Sequence, residues 1–491
     1  MSKRRFLVTS GLPYSNGRLH VGHVAGAYLP ADTYVRYLRA RGDEVRFVCG
    51  SDDNGVASLI SARKENTSVE ELTARYNASQ SRDFAGLGIE FDIFGGTHQP
   101  DYVGLHEKIS QEFFLAIAQK GYFVKRTTEQ LYDVEAGQFL PDRYVKGKCY
   151  HRRADGTPCG YAEAFGDQCE SCGNAIEPMK LVDPVSTITG SRPESRPTTH
   201  WYMQLDRFEN VLREWLESKR VPADGAPAWR ESVLKFVLGQ IKNGLPERAM
   251  TRDLSWGVPV PLDDPDAAGK VLYVWFDAPI GYVSFTAALC QRDEGDWRGY
   301  ERWWKDPASR VVHFIGEDNV LFHALTWPAM LAAEGTYPLP WQVVANAFLN
   351  IGHEKISKSR GTAIWIEDYL ERYRPDPLRY YLTAIAPESQ RTNFDFDDFV
   401  ARNNGELLNA LGNFIHRTLT FAGRFYDGRV PDVGERQAID REHVARIAAT
   451  ARETTEHLEA FRFKAALGAV MALARASNGY LDAKQPWKQR K

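Results

Sequence analysis

"RFLVTSGLPYSNGRLHVGHVAGAYLPADTYVRYLRARGDEVRFVCGSDDNG", residues 5–55, decides the architecture. "RFLVTSG" is a short apolar run closed by Gly11 and Pro13, the pattern of a buried strand. From Gly22 to Arg41, Ala27, Tyr28, Ala31, Tyr34, Val35 and Leu38 recur at helical spacing, and Gly42 stops the helix. "EVRFVCGSDDNG" is a second strand running into a polar loop. Strand, helix and strand within about 50 residues form a βαβ unit, so the fold class is α/β with a doubly wound, Rossmann-like parallel sheet. Such sheets bind ligands beyond the carboxyl ends of their strands, where Pro13–His23 and Ser51–Gly55 fall. His20 and His23 flank a glycine there; metal binding, proton transfer and a grip on phosphate are all open to them.

The rest of the chain bounds the answer. At 491 residues it exceeds one ordinary domain. Its 43% hydrophobic and 25% charged content is that of a soluble globular protein. A net charge of −3 gives no global basic field, so a nucleic-acid partner must be held by local patches. No stretch approaches a membrane span, and the apolar run after "MSKRR" is too brief for a signal peptide. A cytoplasmic protein with no membrane partner is expected. Four of six cysteines, Cys149, Cys159, Cys169 and Cys172, cluster, which points to a metal rather than to disulfides. Cys49 and Cys290 read as small buried apolar residues.

Residues 119–245 break the α/β rhythm and read as an insertion between two halves of the sheet domain. Strand-like runs resume with "KVLYVWFDAP", "RVVHFIGED" and "QVVANAFLN". "GHEKISKSRGTAI" follows as a polar loop, and from about residue 397 the pattern is that of an all-α bundle. Lys355 and Lys358 in that loop are either a solvated surface pair or a cationic clamp for phosphates. Set beside HVGH, the clamp gains weight. There is no G-x-x-x-x-G-K-[ST] loop, and no G-x-G-x-x-G follows the first strand.

HVGH after the first strand and KISKS late in the chain resemble the paired motifs of class I aminoacyl-tRNA synthetases. "LPYSNGRLHVGH", "GLPERAMTRDLSWGVPVP", "VWFDAPIGY", "FIGEDNVLFHALTWPAML" and "KISKSRGT", all in the family's order, are similar to the methionyl-tRNA synthetases over essentially the full length. The resemblance implies a ligase that joins methionine to ATP, giving methionyl-adenylate and pyrophosphate, and then charges tRNA(Met). Its partners would be L-methionine, ATP with Mg2+, and tRNA(Met). The implied organisation is a catalytic domain, first half, at 1–118, and a zinc-knuckle connective insertion at 119–245. The second catalytic half follows at 246–350, a KMSKS-loop and stem-contact region at 351–396, and a helical anticodon-binding domain at 397–491.

The family pattern carries over residue by residue. His20 and His23 would grip ATP and its transition state, Lys355 and Lys358 the pyrophosphate, and Asp318 the ribose. Arg252 matches an arginine near the active site, against a plain reading as a structural ion pair. Leu12, Tyr14, Trp275, Ala278, Pro279, Tyr282 and His323 would surround the methionine side chain, with Asp52 on its ammonium. A polarizable thioether suits those aromatic faces. Two departures stand out: Asn54 replaces a frequent histidine, and Asn319 stands where some members carry an aliphatic residue.

Cys169-Glu-Ser-Cys172-Gly is half of a zinc knuckle; the other half, Cys149 and Cys159, is split by nine residues. One structural zinc on these four thiolates is expected, with His151 as the alternative to Cys159. Asn413, Arg417 and Trp487 match the family's anticodon readers. Asn413 and Arg417 share a helix face, and tryptophan offers a stacking surface to an unpaired base. Lys484, Lys488, Arg490 and Lys491 add a basic end that either meets tRNA phosphate or is a solvated tail. A monomer is expected at this length, or a dimer if a C-terminal extension follows. Two other readings compete: another class I synthetase or a related amino-acid ligase, and a silent tRNA-binding module. The intact His and Lys motifs argue against the module, and the aromatic pocket argues for methionine.

Overall fold

The computed structural model describes residues 3–153, 155–222, 226–351, 354–355, 363–432 and 434–489. Its centre is a five-stranded sheet of β1 (Arg5–Ser10), β2 (Glu44–Ser51), β3 (Ile93–Gly96), β4 (Ser309–Gly316) and β5 (Gln342–Asn346). The order is β5-β4-β1-β2-β3 and every pair is parallel. The chain reverses direction across the sheet at β1, so the crevice between the carboxyl ends of β1 and β4 is the switch point. Successive residues feed two cores: Leu7, Val48, Ile315 and Val343 on one face, Phe6, Phe47, Phe314 and Val344 on the other. Burial on both faces explains why these strands read as continuous apolar runs rather than alternating ones.

The helix after β1 opens at Val21, widens into a π-type turn over Val24–Tyr28, and continues as α1 (Leu29–Ala40). The wide turn leaves the Gly26 carbonyl to accept from Asn346 Nδ2 (2.8 Å), and carries the Tyr28 hydroxyl to the Gly11 carbonyl (2.8 Å). The helix is thereby tied to β5 and to the end of β1. After β3 comes α2 (Val103–Gln119). The chain then leaves the sheet for a long antiparallel pair, Phe123–Asp133 against Glu194–Met203, flanked by Gln138–Phe139 and Arg248–Ala249. A small sheet of Val145–Lys148, Ala164–Phe165 and Val182–Ser186 carries a third core around the cysteines.

"KVLYVWFDAP" departs from the strand expected of it. Only Val271–Leu272 is extended; Tyr273 caps α3 (Val274–Glu294). Phe276 to Ala287 are buried all round this helix, so it shows no amphipathic period and periodicity alone does not distinguish it from a buried strand. It lies so close to the sheet that an added Cβ at Gly50 or Gly95 would fall 2.4 or 2.6 Å from the Phe285 ring.

The C-terminal part is helical: Phe396–Arg402, then π-type turns, α4 (Asn413–Tyr426), α5 (Ala438–Glu459), α6 (Phe463–Lys484) and a last turn, Pro486–Gln489. Its root is fused to the parallel sheet. Phe461 and Phe463 belong to the same core as Phe6 and Phe314. Glu459 accepts from Arg4 (2.9 and 3.1 Å), Tyr37 (2.8 Å) and Arg41 (2.8 Å). No helix among the described residues is long and apolar enough to cross a membrane.

Candidate functional site

His20 and His23 stack with ring centroids 3.6 Å apart. The His20 N–H donates to His23 Nδ1 and the Gly22 N–H to His20 Nδ1, both at 3.1 Å. Each Nδ1 is therefore an acceptor, so the neutral rings carry their hydrogen on Nε2. The pair becomes two Nε2–H donors at a helix start, a phosphate-binding chemistry. Among the described residues the group of three or more converging metal-ligating side chains is the cysteine cluster, not this pair.

The KISKS neighbourhood reaches the same spot. Val21 N–H donates to Ile364 O and Ile366 N–H to Leu19 O, both at 3.0 Å, so the chain just after the loop bridges the HVGH segment. Arg18 pins that bridge by pairing with Glu367 (3.1 Å) and Asp368 and lying over Trp365. Lys355 falls in a short strand, Glu354–Lys355, paired with Leu349–Ile351. Its side chain and Lys358 lie outside the described residues. Asp318 sits in the turn Glu317–Asn319 immediately after β4, across the crevice from β1.

Leu12, Tyr14, Asp52, Trp275, Ala278, Pro279, Tyr282 and His323 all line one small cavity of about 40 Å³. Asn319 and Phe322 complete it. Trp275 stacks on Phe322 at 3.7 Å, and Tyr14 meets the Trp275 ring edge-on at 6.3 Å. Phe322 was not singled out from sequence, although it precedes His323 in a motif quoted above. His323 Nδ1 lies 3.1 Å from the Asn319 carbonyl, so it is the protonated nitrogen, and Nε2 accepts from the Tyr282 hydroxyl at 2.9 Å. Burial pulls the His323 pKa down to about 4, which keeps this neutral tautomer at physiological pH. Asn319 thus orients His323 through its backbone, a job its side chain does not constrain.

Asp52 is the charged end of the cavity. It is 4% exposed, and its Oδ1 has no hydrogen-bond partner among the described residues. Burial, then the charges of Asp277 and Asp53, pushes its pKa well above the usual carboxylate range. A buried carboxylate with an open acceptor is a receptor for a cation.

Arg252 is not brought into this cavity. Its guanidinium pairs with Asp142 (3.1 Å), donates to the carbonyls of Ala249 and Thr251, and lies 3.7 Å over the Tyr273 ring. It lines a separate cavity of about 730 Å³ walled by the inserted sheet, the segment 244–249, and Leu321, Leu325 and Thr326. The ion-pair reading describes its position. Its link to the pocket is Tyr273, the cap of the helix that carries Trp275.

The four cysteine sulfurs lie within 4.8 Å of one another. Cys149 and Cys172 are 3.9 Å apart, Cys159 and Cys169 3.8 Å. Ligands about 2.3 Å from a tetrahedral zinc stand about 3.8 Å from each other, so the spacing fits. The described residues between them fold as a hairpin. Arg153 N–H donates to Thr157 O, Cys159 N–H donates to His151 O, and Gly156 turns the tip at φ +80. This returns Cys159 beside Cys149. His151 points elsewhere, its Nε2 2.9 Å from the Ala175 carbonyl, so it does not replace Cys159.

At the far end of the bundle Arg417, on α4, lies over the Trp487 ring at 5.3 Å and pairs with Asp482 at 2.6 Å. Trp487 is 43% exposed, and Asn413 is exposed one turn before Arg417. The three expected readers therefore share one surface. Arg490 and Lys491 lie outside the described residues.

A family profile described as tRNA synthetases class I (M) matches residues 6–419. The methionine–tRNA ligase of Porphyromonas gingivalis is 45% identical over 487 residues, 99% of this chain and 68% of that protein. That of Thermococcus kodakarensis is 44% identical over 99% of this chain and 65% of its own length. The crystal structure of Mycobacterium tuberculosis methionyl-tRNA synthetase bound by methionyl-adenylate superposes with a TM-score of 0.77 at 25% identity, covering 99% of this chain and 86% of that one.

Proposed function

The chain belongs to the class I tRNA synthetases of the methionine branch, and on that premise we propose how its residues divide the work of a methionine–tRNA ligase. The enzyme activates methionine with ATP and passes the aminoacyl group to tRNA. In the first step a methionine carboxylate oxygen bonds to the α-phosphorus, and the bond to the bridging oxygen breaks in line, releasing pyrophosphate. In the second, a ribose hydroxyl of the terminal adenosine attacks the activated carbonyl and AMP leaves. Phosphoryl substitution of this kind needs positioning and charge stabilisation more than acid–base chemistry.

The observation that carries the assignment is the cavity itself: an aromatic pocket with one open, buried carboxylate at its charged end. Trp275, Phe322 and Tyr14 give a thioether polarizable faces, while Asp52 takes the α-ammonium. The Nε2–H groups of His20 and His23 donate to ATP phosphate oxygens. Lys355 and Lys358 retain pyrophosphate, Asp318 holds the ribose, and Mg2+ accompanies ATP. Arg252 acts through Tyr273 on the start of α3. Pyrophosphate exchange run with each amino acid tests the reading: exchange with methionine alone is expected, and exchange with cysteine or with none overturns it.

Cys149, Cys159, Cys169 and Cys172 hold one zinc. Four thiolates would leave such an ion no open position, so these residues would use it to close the knuckle rather than for chemistry.

Asn413, Arg417 and Trp487 read the anticodon of tRNA(Met). Stacking an unpaired base on an aromatic ring contributes about 1–3 kcal/mol, so Trp487→Ala should lower kcat/KM for tRNA by about 10- to 100-fold. Methionine-dependent pyrophosphate exchange should stay unchanged, because the site lies at the opposite end of the bundle. Equal losses in both assays would remove the anticodon role.

A further inference from the structure

Three buried carboxylates stand close together here: Asp52, which lines the proposed methionine pocket, Asp53 beside it after β2, and Asp277 on α3. Asp53 is held by the Ser51 hydroxyl (2.5 Å), the His98 N–H (2.9 Å) and the Gln99 amide (3.0 Å). Asp277 is fully buried. Its Oδ2 accepts from Asn54 Nδ2 at 2.7 Å and lies 3.3 Å from His106 Nε2, and its Oδ1 has no partner among the described residues. Asn54, 2% exposed, stands between these groups. Its amide oxygen faces His98 Nδ1 at 3.0 Å, and its backbone N–H faces the Asp52 carboxylate. His98 is fixed in turn by stacking on Trp256 at 3.7 Å, and the Trp256 indole donates to the Asp53 carbonyl at 2.8 Å.

One side chain therefore meets an acceptor on one side and a donor on the other, two residues from the carboxylate that the proposed function gives to the ammonium. An amide satisfies both at once. An aspartate at this position would set a second carboxylate 2.7 Å from Asp277 Oδ2, and an alanine would strip a donor from a buried anion. An imidazole also offers one donor and one acceptor.

We propose that Asn54 is a positioning residue for methionine recognition: by clamping Asp277 and His98 together it fixes the loop that carries Asp52 and directs the Asp52 carboxylate at the α-ammonium. The proposal rests on the reading of Asp52 as the ammonium receptor. Asp277, one residue before Ala278 of the cavity lining, adds with Asp53 to the negative charge around Asp52.

The test is calorimetric binding of L-methioninol, which keeps the ammonium and thioether but cannot react, and of ATP, to the full chain. Asn54→Asp and Asn54→Ala should weaken methioninol by about 10- to 100-fold and ATP by less than about twofold. Asn54→His should recover most of the loss. A general folding defect would not separate the two ligands, and the retained ATP affinity reports an intact sheet. Unchanged methioninol binding, or equal loss of both ligands, overturns the proposal. Asp52→Asn is the parallel arm. If it weakens methioninol while the Asn54 variants do not, the inference fails and the ammonium reading stands. If it has no effect on methioninol, that reading fails first.

Discussion

Asp52→Asn should lower kcat/KM for methionine in pyrophosphate exchange by about 10²- to 10³-fold, leaving KM for ATP within about twofold. The substitution is isosteric, so the cavity keeps its shape and only the charge goes. Breaking a buried, hydrogen-bonded charge pair costs about 2–5 kcal/mol, most of it from leaving the other charge unpaired. Here the stranded charge would be the substrate's ammonium, facing Trp275 and Tyr14. A pH signature accompanies the loss. Burial and the neighbouring carboxylates raise the Asp52 pKa in the free enzyme, so lowering the pH protonates it before an ordinary carboxylate. The ammonium binds the ionised form. Methionine KM of the unsubstituted enzyme should therefore climb as pH falls towards that raised pKa, and the Asn variant should show a flat profile. A loss below about threefold, or a variant that keeps the pH slope, would remove Asp52 from this role.

Cys159→Ser should have the largest effect on stability. Structural zinc in small domains contributes about 10–16 kcal/mol of apparent folding energy at neutral pH. The core of Leu131, Leu140, Tyr144, Val145, Ile176 and Leu181 that surrounds the sulfurs is too small to stand without such a staple. Metal analysis of the unsubstituted chain should give one zinc, and the variant far less. Limited proteolysis should then cut the variant between residues 145 and 186 while the parallel sheet stays protected. His151→Ala should keep its zinc, since that ring is turned to the Ala175 carbonyl. Zero or two zinc in the unsubstituted chain, or full zinc in Cys159→Ser, would refute the site.

What could be read from the chain alone follows from how local each signal was. The first βαβ unit announced itself because its strands are short apolar runs, its helix is amphipathic, and glycines end both. The pocket residues were legible because they lie in motifs of fixed order, and the structure brings all eight predicted ones to one cavity. α3 was misread because a helix buried on every side has no polar face to set its period. Phe322 and Asp277 were passed over for a related reason: their importance lies in partners far along the chain, Trp275 at 3.7 Å and Asn54 at 2.7 Å. Asp277 did leave a trace, a carboxylate inside the apolar run "VWFDAPIGY". The split knuckle was legible in composition but not in geometry. Only the pairing of Arg153 with Thr157 shows how the nine intervening residues bring Cys159 back to Cys149.

The fused root of the bundle has a mechanical consequence. Phe461 and Phe463 sit in the core that also holds Phe6 and Phe314, and Glu459 is gripped by three residues of the catalytic part. A joint held in one shared core bends there only by breaking that core. On the proposed reading of Trp487, the distance from its base-stacking surface to the methionine pocket is then set by the protein, like the jaws of a caliper, and a tRNA is measured by whether its own length and bend bring its two ends into register.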